Sequence, residues 1–325
     1  MVRRSSVGVV IPAFNAERFL RETLESVDAQ TRAPDRVVVV DDGSEDGTVG
    51  VVEDWASATD LTVELISQEN RGVSSARNIG IDHLSSDLIA FLDADDVWEP
   101  HHLGRTVEAL EREGDLILCF ANHQPFDRSG PIGDLFLGDK RIAQLSKEKR
   151  EGGVKVIQDG VYASLLTGNY IPPSTTVVCR DRAGEALYFD PDIRRGSDLD
   201  YYLNLSKVGP FGYFSERHAW YRRHENNMSH PRREMERLQY AMRIRLKSYA
   251  VAAERGLSQH ERRATRQALM RTSSGLLYEA SRHGIASYFR NALPVLRSPG
   301  WPRVLSPKDW LRAVVSSLPL IPGLK

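Results

Sequence analysis

Apolar and mixed segments alternate regularly over the first 120 residues of the chain. Strand-like, mainly apolar runs predict β-strands at 7–12, 36–40, 62–67, 88–92 and 116–121. Apolar residues at helical spacing predict helices at 16–30, 46–58, 74–84 and 101–113. Strands that alternate with helices in this way predict an α/β domain, in which a mostly parallel, Rossmann-like sheet is flanked by helices.

Each of the first four predicted strands ends in a polar loop. The four loops read PAFNAE (12–17), DDGSEDGT (41–48), QENRGVSSARN (68–78) and DADD (93–96). Because ligands of such sheets bind beyond the carboxyl ends of the parallel strands, we expect the four loops to form a single site.

The pattern changes twice further along the chain. Residues 122–158 are rich in Gly, Asp and Lys, which predicts a loop or a lid, and helix and strand signals resume at 159–223. Two long helices are predicted within 231–284. We therefore expect a domain over 1–230, with halves 1–121 and 122–230, and a basic helical extension over 231–325.

The DADD loop places Asp93, Asp95 and Asp96 within four positions after the apolar run LIAFL. Ionised carboxylates that lie this close repel one another unless a cation relieves the repulsion. Mg²⁺ uses one or two carboxylates together with substrate phosphates, so Asp93 and Asp95 are candidate ligands of Mg²⁺ or Mn²⁺. The alternative is an acidic cluster that caps the following helix.

The DDGSEDGT loop also has more than one interpretation. Its spacing fits an EF-hand calcium loop, but the preceding segment is a predicted strand and not the helix that an EF-hand requires. Asp42 and Ser44 can alternatively cap the next helix. We favour Asp42 as an acceptor for the N–H groups of a ligand such as a nucleobase. Arg77, near the start of the helix that follows Gly72, is a candidate for holding phosphate.

Composition limits the cellular setting. The two cysteines, Cys119 and Cys179, lie in apolar contexts that favour buried free thiols and a reducing compartment. No signal peptide or membrane-spanning run is apparent, so we expect a cytoplasmic protein. Residues 231–325 carry 18 basic and 6 acidic side chains, a balance of +12, against −13 for 1–230.

That asymmetry indicates either a solvated basic helical face or an anionic partner. Within 308–318, Trp310 and Leu311 lie beside Lys308 and Arg312, which is compatible with core packing or with a helix in a membrane interface. We hypothesise peripheral attachment of 285–325 to the inner face of the cell membrane. Because no zinc, RRM or helix-turn-helix signature is present, we expect no nucleic-acid partner.

Six ordered motifs resemble the family 2 glycosyltransferases, which have the GT-A fold. They are VVIPAFNAERFL, VVVDDGSEDGT, NRGVSSARNIGI, FLDADDVWEP, GSDLDYYLNL (196–205) and YRRHENNMS (221–229), and the resemblance spans about residues 6–230. It implies an inverting enzyme that transfers a sugar from a nucleotide-diphosphate donor, UDP-sugars being the default, to a hydroxyl of a glycan or lipid-linked acceptor.

The resemblance also implies roles for individual residues. Those expected around the nucleotide sugar are Pro12, Phe14, Asn15, Glu17, Asp41, Asp42, Ser44, Gly72, Arg77, Asp93, Ala94 and Asp95. Asp93, Asp95 and His224 would hold the metal, and Asp198 would be the general base, with Asp200 as the fallback. Ser197 departs from the pattern, since the family usually has an acidic residue directly before the base. A nucleotidyltransferase and a binding module without catalysis remain the alternatives.

Overall fold

The computed structural model describes residues 4–133, 135, 142, 144–145, 147–225, 227, 234–251, 256–282 and 291. The chain divides into two compact units, Met1–Glu225 and Asn226–Lys325.

The first half of unit one follows the predicted alternation to within a few residues at each boundary. Its elements are β1 (Val7–Ala13), α1 (Glu17–Asp28), β2 (Arg36–Asp41), α2 (Thr48–Ala56), β3 (Val63–Ser67), α3 (Val73–His83) and β4 (Leu88–Phe91). The strands pair in the order β3–β2–β1–β4, and every pair is parallel. The α/β prediction is therefore confirmed, and β1, β2 and β4 end at one edge of the sheet.

The second half enlarges the same sheet with strands of both directions. Its elements are β5 (Val97–Trp98), α4 (His102–Arg112), β6 (Leu118–Asp127), β7 (Gly130–Pro131), β8 (Glu148–Lys149), β9 (Lys155–Ile157), α5 (Val161–Leu165), β10 (Val177–Cys179), α6 (Arg180–Ala183), α7 (Ser197–Leu205) and β11 (Phe211–Arg222). Short 3₁₀ turns lie at Glu151–Gly153, Pro173–Thr175 and Gly184–Leu187.

β10 lies between β4 and β6 and is antiparallel to both, so β6 runs in the direction of β4. β11 is parallel to β6, which brings its carboxyl end to the same edge as the loops after β1, β2 and β4. The full order of the main sheet is β3–β2–β1–β4–β10–β6–β11–β9–β8.

The loop predicted over 122–158 is partly wrong, because β6 continues to Asp127 along β11. The polar residues at 122–124 are buried. Asn122 Nδ2 donates to the Ser215 carbonyl at 3.2 Å, and Gln124 Nε2 donates to the Ile132 carbonyl at 3.1 Å. A strand whose buried positions are polar lacks the apolar signal on which the sequence prediction depends.

The core of this unit lies between the sheet and its helices. Val37–Val40 of β2 are fully buried, as the uninterrupted apolar run predicts for a strand covered on both faces. Leu20, Leu24 and Val27 of α1 form the buried stripe of that helix. Gly80 lets α3 approach β1, since a Cβ at this position would lie 2.4 Å from Val10 Cγ1. Close packing of α3 fixes the position of its amino end beside the polar loops.

Unit two contains α8 (Glu234–Ala250) and α9 (Gln259–Arg282), which pack through Met242, Leu269 and Leu276. The predicted helical extension is therefore confirmed for these segments. None of the described helices combines the length and hydropathy needed to cross a membrane. The segment 285–325, for which we hypothesised membrane attachment, lies outside the described residues apart from Asn291.

Candidate active site

The loops after β1 and β2 are joined by a network of hydrogen bonds. The Asn15 N–H donates to Ser44 Oγ at 2.8 Å, the Glu45 N–H donates to Asn15 Oδ1 at 2.9 Å, and the Gly47 N–H donates to Glu17 Oε2 at 3.0 Å. Asn15 adopts a left-handed backbone with φ of 48°. Of the predicted nucleotide residues, Asn15, Glu17 and Ser44 thus shape the loops through contacts within the protein.

Two other residues that we predicted to lie around the nucleotide flank this network. Pro12 is buried within β1, and Phe14, directly after β1, is 50% exposed. An aromatic ring of this exposure at the carboxyl edge offers a flat apolar surface to a ligand.

Asp42 is buried and organises the loop that precedes α3. Its Oδ1 accepts from the Arg71 N–H at 2.8 Å and from Gln68 Nε2 at 2.5 Å, and its Oδ2 accepts from the Gly72 N–H at 2.8 Å. Gly72 has φ of 90°, which favours glycine. A carboxylate has about four acceptor positions, so one remains for a ligand.

The capping alternative for the DDGSEDGT loop is not what the structure shows. Helix α2 begins at Thr48 with Gly47 at the N-cap position. Neither Asp42 nor Ser44 caps it, and Asp41 instead accepts from the Ser44 N–H at 3.2 Å. Asp41 therefore stabilises the loop after β2, and Asp42 stabilises the loop after β3.

Arg77 lies inside the site and not on a solvated helix face. Its side chain is 4% exposed, and its Nη2 donates to Asp93 Oδ1 at 2.5 Å. Burial alone would lower the pKa of Arg77, but the charge and hydrogen bond of Asp93, together with Tyr202 and Asp198, outweigh burial and raise that pKa. Arg77 therefore connects the acidic loop electrostatically with the candidate base.

The acidic loop after β4 directs its first two carboxylates to different partners. Asp93 pairs with Arg77, whereas Asp95 Oδ2 lies 2.9 Å from His224 Nε2. Between them, the Ala94 carbonyl accepts from Thr23 Oγ1 at 3.0 Å and so ties the loop to α1. Helix α4 begins only at His102, beyond β5, so the capping alternative for this cluster is also not observed.

The third carboxylate, Asp96, is an anchor that sequence reasoning missed. It is buried and accepts from Ser174 Oγ at 2.5 Å and from the Arg222 N–H at 3.0 Å. Burial, followed by the charges of Asp95 and Asp93, raises the pKa of Asp96 well above its ordinary value. Arg222 also donates from Nε to the Asp95 carbonyl at 2.9 Å. The three carboxylates thus divide into two that face the edge and one that holds the loop.

The predicted metal ligands are brought together in part. Asp95 and His224 converge, whereas Asp93 engages Arg77, and within the described part of the chain no three acidic, histidine or cysteine side chains are arranged so that they could hold a metal ion. A carboxylate with an imidazole beside it suits Mn²⁺ or Mg²⁺ when phosphate oxygens complete the shell. The donor set therefore fits a cation that arrives with a diphosphate ligand.

Asp198 lies in the first turn of α7 and is held by both oxygens. Oδ1 accepts from the Leu199 N–H at 2.9 Å, and Oδ2 accepts from Asn169 Nδ2 at 2.7 Å. Burial raises the pKa of Asp198 although Arg77 and these hydrogen bonds oppose it. Asp200, the fallback base, is fully buried, and Ser197 is buried as well. Asp198 is therefore the carboxylate of α7 that can meet a substrate.

Comparison with solved structures identifies the fold. Comparison with S. aureus TarS in complex with UDP gives a TM-score of 0.56 at 16% identity, over 82% of this chain and 70% of that one. For the mannosyltransferase PcManGT from Pyrobaculum calidifontis, in complex with GDP-Man and Mn²⁺, the TM-score is 0.54 at 18% identity, over 96% and 87%. The fold is that of the GT-A glycosyltransferases.

Sequence comparison then identifies the family. Residues 8–164 match the model of glycosyl transferase family 2. An uncharacterised glycosyltransferase of Nostoc sp. strain PCC 7120 is 31% identical over 229 residues, which is 69% of this chain and 67% of that protein. TuaG of Bacillus subtilis, a putative teichuronic acid biosynthesis glycosyltransferase, is 26% identical over 69% of this chain and 81% of its own length. The chain belongs to glycosyl transferase family 2, as the motifs predicted.

Proposed function

We propose that the protein is an inverting, metal-dependent glycosyltransferase that moves a sugar from a nucleotide-diphosphate donor to an acceptor hydroxyl. The observation that carries this proposal is the position of Arg77, which pairs with Asp93 and acts electrostatically on Asp198. This position supports a single site in which the acidic loop and the base candidate face the same substrate.

We assign the nucleotide to the loops after β1, β2 and β3. Phe14 is exposed for contact with the base, and Asp42 has an acceptor position left for a base N–H. UDP is the favoured nucleotide, since TarS is described with UDP and with UDP-GlcNAc, whereas PcManGT is described with GDP-Man.

Asp95 and His224 are the residues that would hold the cation, and Asp93 has a second carboxylate oxygen for the donor or the ion. When bound, Mn²⁺ or Mg²⁺ offsets the negative charge that develops on the departing diphosphate. An imidazole ligand favours Mn²⁺ over Mg²⁺. His224→Ala should therefore raise the Mn²⁺ concentration required for half-maximal activity, whereas His83→Ala, at an exposed histidine paired with Glu64, should not.

The chemistry assigned to Asp198 is general-base catalysis. Its carboxylate takes the proton of the acceptor hydroxyl as that oxygen attacks the anomeric carbon, and the sugar–phosphate bond breaks with its electron pair on the nucleoside diphosphate. Such assistance contributes on the order of 10²–10⁴-fold to the rate. Single displacement requires one base and no enzyme nucleophile, which matches a single accessible carboxylate on α7.

The acceptor that we favour is a glycan or a lipid-linked hydroxyl. Similar proteins include TuaG and AmsB of Erwinia amylovora, which are named for teichuronic acid and amylovoran biosynthesis. We place the reaction in the cytoplasm, with the basic extension available for contact with an anionic membrane.

A thermal-shift screen of nucleoside diphosphates, each with and without Mn²⁺, tests the donor and the metal together. A nucleotide that binds the native state at 100 times its Kd stabilises that state by about 2.7 kcal/mol. We expect UDP with Mn²⁺ to give the largest shift and Asp95→Asn to reduce it. If no nucleoside diphosphate raises the melting temperature, the proposal fails.

The base is tested separately by donor hydrolysis and sugar transfer. We expect wild-type protein to turn over the donor and Asp198→Asn to retain UDP binding while losing turnover. Binding with no turnover by either protein would favour the module without catalysis, and release of pyrophosphate would favour a nucleotidyltransferase.

A further inference from the structure

Asn169 is held in one orientation by the backbone two residues further on. Its Oδ1 accepts from the Ile171 N–H at 3.0 Å, and its Nδ2 donates to the Ile171 carbonyl at 3.1 Å. The same Nδ2 group donates to Asp198 Oδ2 at 2.7 Å. The amide therefore presents a fixed hydrogen-bond donor to the base candidate, in a protein where Ser197 replaces the acidic neighbour expected from the resemblance.

The segment that begins at Asn169 ends at the acidic loop. Five residues later, Ser174 Oγ donates to Asp96 Oδ2 at 2.5 Å and accepts from the Asp93 N–H at 3.2 Å. One short stretch of chain thus contacts the base candidate at one end and the acidic loop at the other.

This stretch is stiff and enclosed. Pro172 and Pro173 restrict the backbone, Pro172 having φ of −80° and ψ of 138°. Tyr170, Ile171 and Ser174 are each 1% exposed. The Trp98 indole N–H, which donates to the Ser174 carbonyl at 2.5 Å, fixes the far end. Such a segment holds its two ends at a constant separation.

We propose that Asn169–Ser174 is a rigid spacer that sets the base Asp198 against the acidic loop. Asn169 is the positioning residue for Asp198, and Ser174 is the positioning residue for Asp93 and Asp96. This inference rests on the proposed function of Asp198 as the base. It assigns to Asn169 the orienting task that the residue at position 197 does not perform here.

Asn169→Asp keeps the acceptor for the Ile171 N–H and replaces the Nδ2 donor, which faces Asp198 and the Ile171 carbonyl, by a carboxylate oxygen. Asn169→Ala removes both. The matched control is Asn204→Ala, since Asn204 Nδ2 donates to Asp200 Oδ2 at 3.4 Å on the same helix, away from the reacting atoms. Melting temperatures, kcat, donor KM and the pH dependence of kcat are measured for each variant.

We expect both Asn169 variants to lose about 10- to 100-fold in kcat, the size of one hydrogen bond to a charged group, with donor KM nearly unchanged. The hydrogen bond from Asn169 favours ionised Asp198, and Arg77 and Asp93 are the other charges that act on it. Its loss raises the pKa of the base, so the acidic limb of the pH profile should move upward by about one unit. Asn204→Ala should leave that limb in place.

The double variant Asn169→Ala with Ser174→Ala tests whether the two ends act as one unit. If they do, the loss in kcat should be smaller than the product of the single losses. The spacer proposal is wrong if the losses in kcat multiply, or if the acidic limb of the pH profile does not move in Asn169→Ala. If Asp198→Asn keeps full kcat, Asp198 is not the base, and the spacer proposal is wrong for that reason. Failure of the base assignment can thus be distinguished from failure of the spacer proposal alone.

Discussion

The Arg77–Asp93 pair allows a measurement of how much the charged interior of the site contributes to folding. Nη2 of Arg77 lies 2.5 Å from Asp93 Oδ1, and the two side chains are 4% and 29% exposed. Removing one partner of a buried pair costs about 3–5 kcal/mol, because the remaining charge loses its compensation. Since Asp93 keeps partial access to water, we expect Arg77→Met to lower the free energy of unfolding by about 3 kcal/mol, the lower end of that range.

Arg36→Met is the matched control, because Arg36 Nη2 lies at a similar distance, 2.6 Å, from Glu64 Oε2, but the two side chains are 43% and 28% exposed. An exposed pair contributes about 0–1 kcal/mol. Urea unfolding of both variants and the wild type, followed by tryptophan fluorescence, compares the losses at equal slope. Equal losses in the two variants would refute the reasoning that burial decides the effect.

Three further predictions concern the buried ionisable groups of the protein. Burial raises the pKa of Asp198, so the folded state binds this proton more tightly than the unfolded chain and loses stability as pH rises through that pKa. Asp198→Asn should therefore have a higher melting temperature than wild type at about pH 8, measured by calorimetry. A lower melting temperature would contradict this prediction. Burial also lowers the pKa values of His102 and His218, so the stability they confer is lost as pH falls below about 6.5, and His218→Phe should move the acid-unfolding midpoint to lower pH. Asn has a single side-chain acceptor oxygen, so Asp42→Asn cannot accept from both of the loop N–H groups that Asp42 binds. The affinity for UDP, measured by calorimetry, should therefore fall by about tenfold, and an unchanged Kd would exclude a role of Asp42 in nucleotide binding.

The first half of the fold could be predicted from the sequence because its signals are local. The apolar run at 36–40 and the helical stripe of Leu20 and Leu24 each lie within a few residues, and the structure forms β2 and α1 there. The DADD loop was placed correctly after β4 for the same reason. The order of the motifs was sufficient to indicate the family.

The remaining features depend on contacts between distant parts of the chain. β10 inserts antiparallel between β4 and β6, and no periodicity reports which strand it will join. The partners of Asp96 and Asp198 lie 78 and 29 residues away, at Ser174 and Asn169. Polar residues that satisfy one another across such separations resemble ordinary loop residues in the sequence.

These long-range contacts explain why three carboxylates can lie together after a buried strand. Burial, followed by the charges of Asp95 and Asp93, raises the pKa of Asp96, and the hydrogen bonds that this residue accepts from Ser174 Oγ and the Arg222 N–H hold the loop. With that anchor in place, Asp93 and Asp95 separate toward Arg77 and His224 instead of repelling one another at one point. Ser174, Arg222, His224 and Asp198 all lie beyond residue 164, where the match to the family model ends. The acidic loop therefore lies in the part of the chain that matches the family model, but its geometry depends in part on the segment that follows.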